Sequence, residues 1–162
     1  MSGKDENIKL EISLRQTPVE KPVYNILNHF YKDPFTGEDL IPKKKILSLT
    51  LNETVAEKLK AAITRKELVI RDYYDLWFIS ETDFDFTDKK FLSIFKKKLE
   101  EEKYRENYSH NFGLDQKSIE LLNKQISTEL IPVIRIGETF NINKVFKRFN
   151  RIMQMAENNS LK

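Results

Sequence analysis

The sequence predicts an α+β chain, a small N-terminal β-sheet remnant followed by a mainly helical bundle. Two observations predict it. Ile8, Leu10, Ile12 and Leu14 alternate with Lys9, Glu11, Ser13 and Arg15, the period of two expected of a half-buried strand. From Leu51 onward apolar residues recur three and four apart, the period of an amphipathic helix. At 162 residues without cysteine, the chain is expected to form one domain. Residues 8–50 would be its strand-containing part and 50–158 its helical part, with a core that needs no disulfide.

In the expected strand Ile8–Leu14, Glu11 faces away from the core. Pro18 and Pro22 interrupt regular structure, and Val23–Tyr31 is apolar enough for a strand or for one or two helical turns. Asp33, Pro34, Thr36 and Gly37 mark a turn before a second strand at Ile46–Leu49. Thr50 and Glu53 have the spacing of a capping box, which predicts a helix to about Arg65 with Leu51, Val55, Leu59, Ala62 and Ile63 inward. Lys58 falls at the border of that apolar side. A turn at Lys66 and Glu67 leads into a second helix over Val69–Ile79, making an αα-hairpin.

Three further helices are expected over 88–103, 115–129 and 142–157, the first with Phe91, Leu92, Phe95 and Leu99 inward. Asp85 or Thr87, Asp115 and Asn141 are the N-cap candidates. Residues 104–114 read as a polar and aromatic loop, and Pro132 and Gly137 bracket the connection into the last helix.

Composition excludes several chemistries. Without cysteine there is no thiol chemistry or zinc ribbon, and His29 and His110 lie too far apart in sequence to suggest a ligand pair. Any metal is expected on carboxylates, which points to Mg²⁺ or Mn²⁺. No apolar run reaches membrane-spanning length and the N-terminus lacks a signal-peptide core, so a cytoplasmic protein is expected. The net charge of +3 permits a nucleic-acid partner without requiring one.

The segment Val69–Ile79 carries the most information. On a helical wheel its apolar and aromatic residues cover most of the circumference, while Arg71, Asp72 and Asp75 crowd one sector. A helix of that kind is expected to be buried, and a buried charge costs several kcal/mol unless it is paired. Lys58 on the preceding antiparallel helix is within reach of Asp72 and Asp75, with Glu11 a third acid on a strand. Acids and a lysine on adjoining elements suit metal-assisted phosphoryl or nucleotidyl transfer. On physics alone the simpler account is a salt-bridge network of Arg71, Asp72, Asp75 and Lys58 that locks the hairpin, in a non-catalytic helical interaction module.

The run Leu49–Ile79 changes that weighting, because Ala56-Glu57-Lys58-Leu59 and Arg71-Asp72-Tyr73-Tyr74-Asp75-Leu76-Trp77-Phe78 resemble the C-terminal motif region of the AbiEii nucleotidyltransferase toxin family. Pro34-Phe35-Thr36-Gly37 and the strand Ile46–Leu49 sit where that family has a similar turn and strand. The resemblance covers roughly residues 8–105. It implies nucleotidyl transfer from an NTP with Mg²⁺, to tRNA, another RNA or a protein acceptor, by a toxin restrained by an antitoxin or used in abortive infection against phage. Lys58 would contact phosphate and Asp72 would be the catalytic acid, serving as a base toward the acceptor hydroxyl, with Arg71 and Asp75 in support. Glu11 is the expected third catalytic position and a candidate metal ligand.

The family also carries a Gly-Ser turn and a strand with an Asp-x-Asp pair upstream. This chain has neither there: its four glycines are Gly3, Gly37, Gly113 and Gly137, none followed by serine. The expectation is therefore a C-terminal portion. Its other half would be a separately encoded polypeptide, or a segment deleted or decayed. Asp83-Phe84-Asp85 follows one helix and precedes another, so it reads as a solvated turn and N-cap.

On the last helix Lys144, Lys147, Arg148 and Arg151 share a face opposite Val145, Phe149, Ile152, Met153 and Ala156. That stripe reads as an ordinary solvated face or, alternatively, as a track for a nucleic-acid backbone, with Tyr104, Tyr108 and Phe112 as stacking surfaces. Lys96–Lys98 carries a weaker signal, since Glu100–Glu102 follows at once.

Overall fold

The computed structural model describes residues 17–27, 31–65, 67–101, 116–134, 137 and 140–160. The expected strand at Ile8–Leu14 with Glu11, the loop 104–114 with its three aromatics, and the Asp115 cap lie outside the described residues.

The first elements are two antiparallel strands, β1 (Val23–Leu27) and β2 (Lys44–Ser48), registered with Tyr24 opposite Leu47 and Ile26 opposite Lys45. For the described part of the open reading, Val23–Leu27, this is a strand, and the second strand moves from Ile46–Leu49 to a slightly earlier start. The Asp33 carboxylate sets the turn between them by accepting the Phe35 and Thr36 N–H groups at 2.8 Å each. Gly37 completes the turn at φ 74, a left-handed conformation that glycine adopts without Cβ strain.

Helix α1 (Leu51–Thr64) starts where the capping spacing predicts, with the Thr50 hydroxyl accepting the Glu53 N–H at 3.2 Å. Only half of the capping box forms, because the Glu53 carboxylate turns to other partners. Val55, Ala56, Leu59, Ala62 and Ile63 are buried, but Leu51 is exposed because the first helical residue projects beyond the packed interface.

Helix α2 (Ile70–Ser80) packs against α1 as the hairpin expected. It is buried or half-buried around most of its circumference, as expected. Ile70, Asp72, Tyr73, Leu76 and Ser80 face inward, while Arg71 and Phe78 are exposed. Contacts with α1, the turn that ends at Leu130 and the last helix leave only the narrow sector of Arg71 and Phe78 to solvent.

Helix α3 (Lys89–Glu101) buries Phe91, Ile94, Phe95 and Leu99, with Leu92 only half-buried. Asp88 rather than Asp85 or Thr87 accepts the Phe91 N–H, at 2.9 Å, whereas Asp85 accepts the Thr87 N–H within the preceding turn. The expected helix over 115–129 divides into α4 (Gln116–Gln125) and a π-helical turn at Ile126–Leu130. In that turn the Ile131 N–H reaches the Ile126 carbonyl at 2.9 Å, one residue further than an α-helix allows, and Leu130 is carried into the core. Helix α5 (Ile142–Ser160) begins at Asn141, whose carboxamide oxygen accepts the Asn143 and Lys144 N–H groups.

One hydrophobic core joins these helices, with Phe86 meeting Phe91 and Phe149 edge to face. Each fully buried large side chain contributes about 1.5–3 kcal/mol, so this core rather than the exposed two-stranded sheet holds the hairpin in place. No helix among the described residues is long and apolar enough to cross a membrane.

Candidate active site on the α1–α2 hairpin

Antiparallel packing of α1 and α2 sets Lys58 opposite Asp75 and Arg65 opposite Asp72. Lys58 Nζ lies 2.5 Å from Asp75 Oδ2, both side chains being partly exposed. One guanidinium nitrogen of Arg65 lies 2.8 Å from Asp72 Oδ2 but presents no N–H in line with it, so this buried oxygen is left without a hydrogen bond. Burial pushes the Asp72 carboxyl above its ordinary value of 3.8. Arg65 and Lys58 oppose that rise and Asp75 adds to it. Arg71 projects from the same helix into solvent.

Of the residues singled out from sequence, the hairpin therefore brings Lys58, Asp72 and Asp75 together. The pairing differs from the expected network in one respect. Arg65, not Arg71, stands against Asp72, because Arg71 precedes Asp72 by one residue and so points about 100° away around the helix. Arg65 follows Lys58 by seven residues on α1, and that spacing is the signal that would have found it.

A second charged cluster went unread. Lys98 is 2% exposed and lies 2.8 Å from Glu53 and 2.9 Å from Glu57, with Lys60 2.9 Å from Glu57 on its other side. Glu53, wholly buried, also accepts the Val19 N–H at 2.7 Å and the Glu20 N–H at 3.0 Å. Burial raises the Glu53 carboxyl, but Lys98 and the two backbone donors outweigh it and hold the group below 4.5. Glu57 is held below 4.5 in the same way by Lys60 and Lys98. The available signal was the position of Lys98 itself, seven residues beyond Phe91 and three beyond Phe95, on the inward stripe of α3. Lys96–Lys98 is thus no uniform solvated run.

The four cations of α5 are all exposed, yet they do not form a free stripe. The Arg148 guanidinium donates to the Glu81 carboxylate and to the Ser80 carbonyl at the end of α2. Lys144, Lys147 and Arg151 remain on the solvent face, opposite buried Val145 and Phe149.

The described residues do not fit a resident metal ion. No three acids or histidines among them are gathered to hold one, and the hairpin's two carboxylates each already face a cation. Glu11 lies outside the described residues.

Neither curated proteins nor solved structures give a significant match. The model of the AbiEii family, described as the nucleotidyl transferase toxin of a type IV toxin–antitoxin system, matches residues 1–154. That span extends beyond the 8–105 of the motif resemblance and takes in α4 and most of α5. The match covers all but the last eight residues, and the chain belongs to the AbiEii nucleotidyl transferase toxin family.

Proposed function

We propose that the chain takes part in nucleotidyl transfer from an NTP to an RNA, such as tRNA, or to a protein acceptor. The acceptor hydroxyl oxygen bonds to the α-phosphorus, the bond to pyrophosphate breaks, and the hydroxyl proton passes to the Asp72 carboxylate. Lys58 neutralises phosphate oxygens, Asp75 holds Lys58 until nucleotide arrives, and Arg71 offers an exposed cation to the triphosphate. The observation that carries this reading is the buried, unsatisfied Asp72 oxygen in a seam with two cations. A carboxyl whose affinity for protons is raised by burial is a stronger base than a free carboxylate.

Mg²⁺ and Glu11 belong to the same proposal. No step is assigned to the ion, and an antitoxin or a separately encoded polypeptide bearing paired acids would be the protein partner. The reading places the reaction in the cytoplasm.

The test is a titration with ATP and Mg²⁺ of the wild-type chain, Lys58→Ala and Asp72→Ala. Binding that is lost in both variants supports the proposal, and no binding by the wild type refutes it for the isolated chain. The competing reading, a non-catalytic module with a locking salt-bridge network, draws on the Lys58–Asp75 and Arg65–Asp72 pairs. It predicts no Mg²⁺-dependent nucleotide binding. An electrophoretic shift with tRNA at two salt concentrations tests Lys144, Lys147, Arg148 and Arg151 as a backbone track. Salt-insensitive or absent binding removes that role.

A further inference from the structure

We infer that Gln125 is a positioning residue for Asp72, acting as an external cap on the first turn of α2. The inference rests on reading Asp72 as the site's acid. The first N–H groups of any helix need acceptors from outside it. Here the capping residue is Val69, whose side chain supplies none. Gln125, the last residue of α4 and 55 positions away, supplies one instead: its carboxamide oxygen accepts the Ile70 N–H at 2.8 Å. The carboxamide nitrogen donates to the Leu68 carbonyl at 2.9 Å. A single amide thus clamps both sides of Val69, as a paired strand would.

Asp72 sits directly on that clamp. It is the third residue of α2, its own N–H bonds the Val69 carbonyl at 3.1 Å, and its side chain is 7% exposed. Among the described residues of the connection before it, Glu67–Val69, there is neither Ser, Thr, Asn nor Asp to cap it. The chain changes from α to π geometry at the residue after Gln125, and that wider turn packs against α2. Gln125 is therefore held from its own C-terminal side against the helix it caps. Loss of the clamp lets the first turn of α2 fray and exposes the Asp72 carboxyl to water. An error of about 1 Å in a reacting group is enough to lower a rate ~100-fold.

Gln125→Met keeps the side chain's length and removes both hydrogen bonds. Three measurements read it: exchange of the Ile70 amide, ¹³C titration of the Asp72 carboxyl, and affinity for ATP with Mg²⁺. Expected are faster Ile70 exchange, an Asp72 midpoint shifted down toward 3.8, and nucleotide binding weaker by about tenfold, the equivalent of one net hydrogen bond. Gln125→Glu retains the acceptor and keeps Ile70 protected. Leu121→Ala, which alters the same 640 Å³ cleft beside Val69, leaves the Asp72 titration unchanged.

A Gln125→Met protein with lowered melting temperature but an unmoved Asp72 titration overturns the inference, since the amide would then be structural only. If the Asp72 midpoint moves while Asp72→Asn leaves ATP affinity unaltered, the clamp stands and the functional reading of Asp72 falls. If Gln125→Met fails to fold, Gln125→Glu decides on the same readouts, and rapid Ile70 exchange in it overturns the clamp.

Discussion

Helix α1 carries two charged clusters on different sides, and they are built by opposite rules. Toward α3, Glu53, Glu57 and Lys60 meet Lys98 in a nest where Glu53 and Lys98 are sealed from water. Toward α2, Lys58 and Arg65 meet Asp75 and Asp72 at a seam open to solvent, with one carboxylate oxygen unsatisfied. The first arrangement joins α1, α3 and the segment at Val19 and Glu20. The second leaves a buried carboxylate oxygen without a hydrogen bond, and perturbed groups of that kind are concentrated at reaction sites.

The largest effect should come from breaking the sealed nest. Lys98→Met strips the buried Glu53 of its cation and leaves Glu57 only Lys60, and is expected to lower stability by about 3–5 kcal/mol in urea unfolding. On the open seam Lys58→Ala should do the reverse. It weakens ATP binding by roughly 1.5–3 kcal/mol, as for a lost charged hydrogen bond, but lowers stability by only about 0.2–1 kcal/mol because its ion pair is half-exposed. Comparable stability losses in the two variants would dissolve the contrast.

Between the clusters, the Tyr73 hydroxyl donates to the Ala62 carbonyl at 3.1 Å across the hairpin. Tyr73→Phe is expected to cost about 0.5–1.5 kcal/mol by thermal denaturation. Asp72→Asn should gain about 0.5–1 kcal/mol at neutral pH, because it removes a buried charge whose desolvation exceeds its pairing. Its pH dependence has a definite sign. The Asp72 carboxyl is raised above 3.8, so its destabilisation is full above the raised value and vanishes as pH falls to 3.8. Glu57 runs the other way: it is held below 4.5, so its contribution is full above 4.5 and is lost as pH falls through the lowered value. Stability curves of Asp72→Asn and Glu57→Gln against wild type should therefore lie on opposite sides at neutral pH and converge with it on acidification.

Local rules made much of the architecture legible. The Thr50 cap, the Asn141 cap, the Asp33 turn and the αα-hairpin depend on residues within a few positions of one another, and each appears where the spacing puts it. The approach of Lys58 to Asp75 across the hairpin was legible from the antiparallel pairing of the two helices. The broad burial of α2 follows from its apolar circumference, and only Arg71 and Phe78 of its residues stand in solvent. The π turn after Gln125 and the Asp88 cap were missed, since α and π geometry share nearly the same periodicity and three candidate caps lie within four residues.

The sequence by itself determined the α+β class, the helical hairpin and the family motif, because period, capping and motif spacing are properties of short segments. Tertiary structure alone decided the charge pairing. That Glu53 abandons its capping box for Lys98, that Arg65 and not Arg71 confronts Asp72, and that Gln125 caps α2 from 55 residues away all depend on which helices meet. A charge finds its partner by distance in space, and in a low-dielectric interior that distance sets its energy.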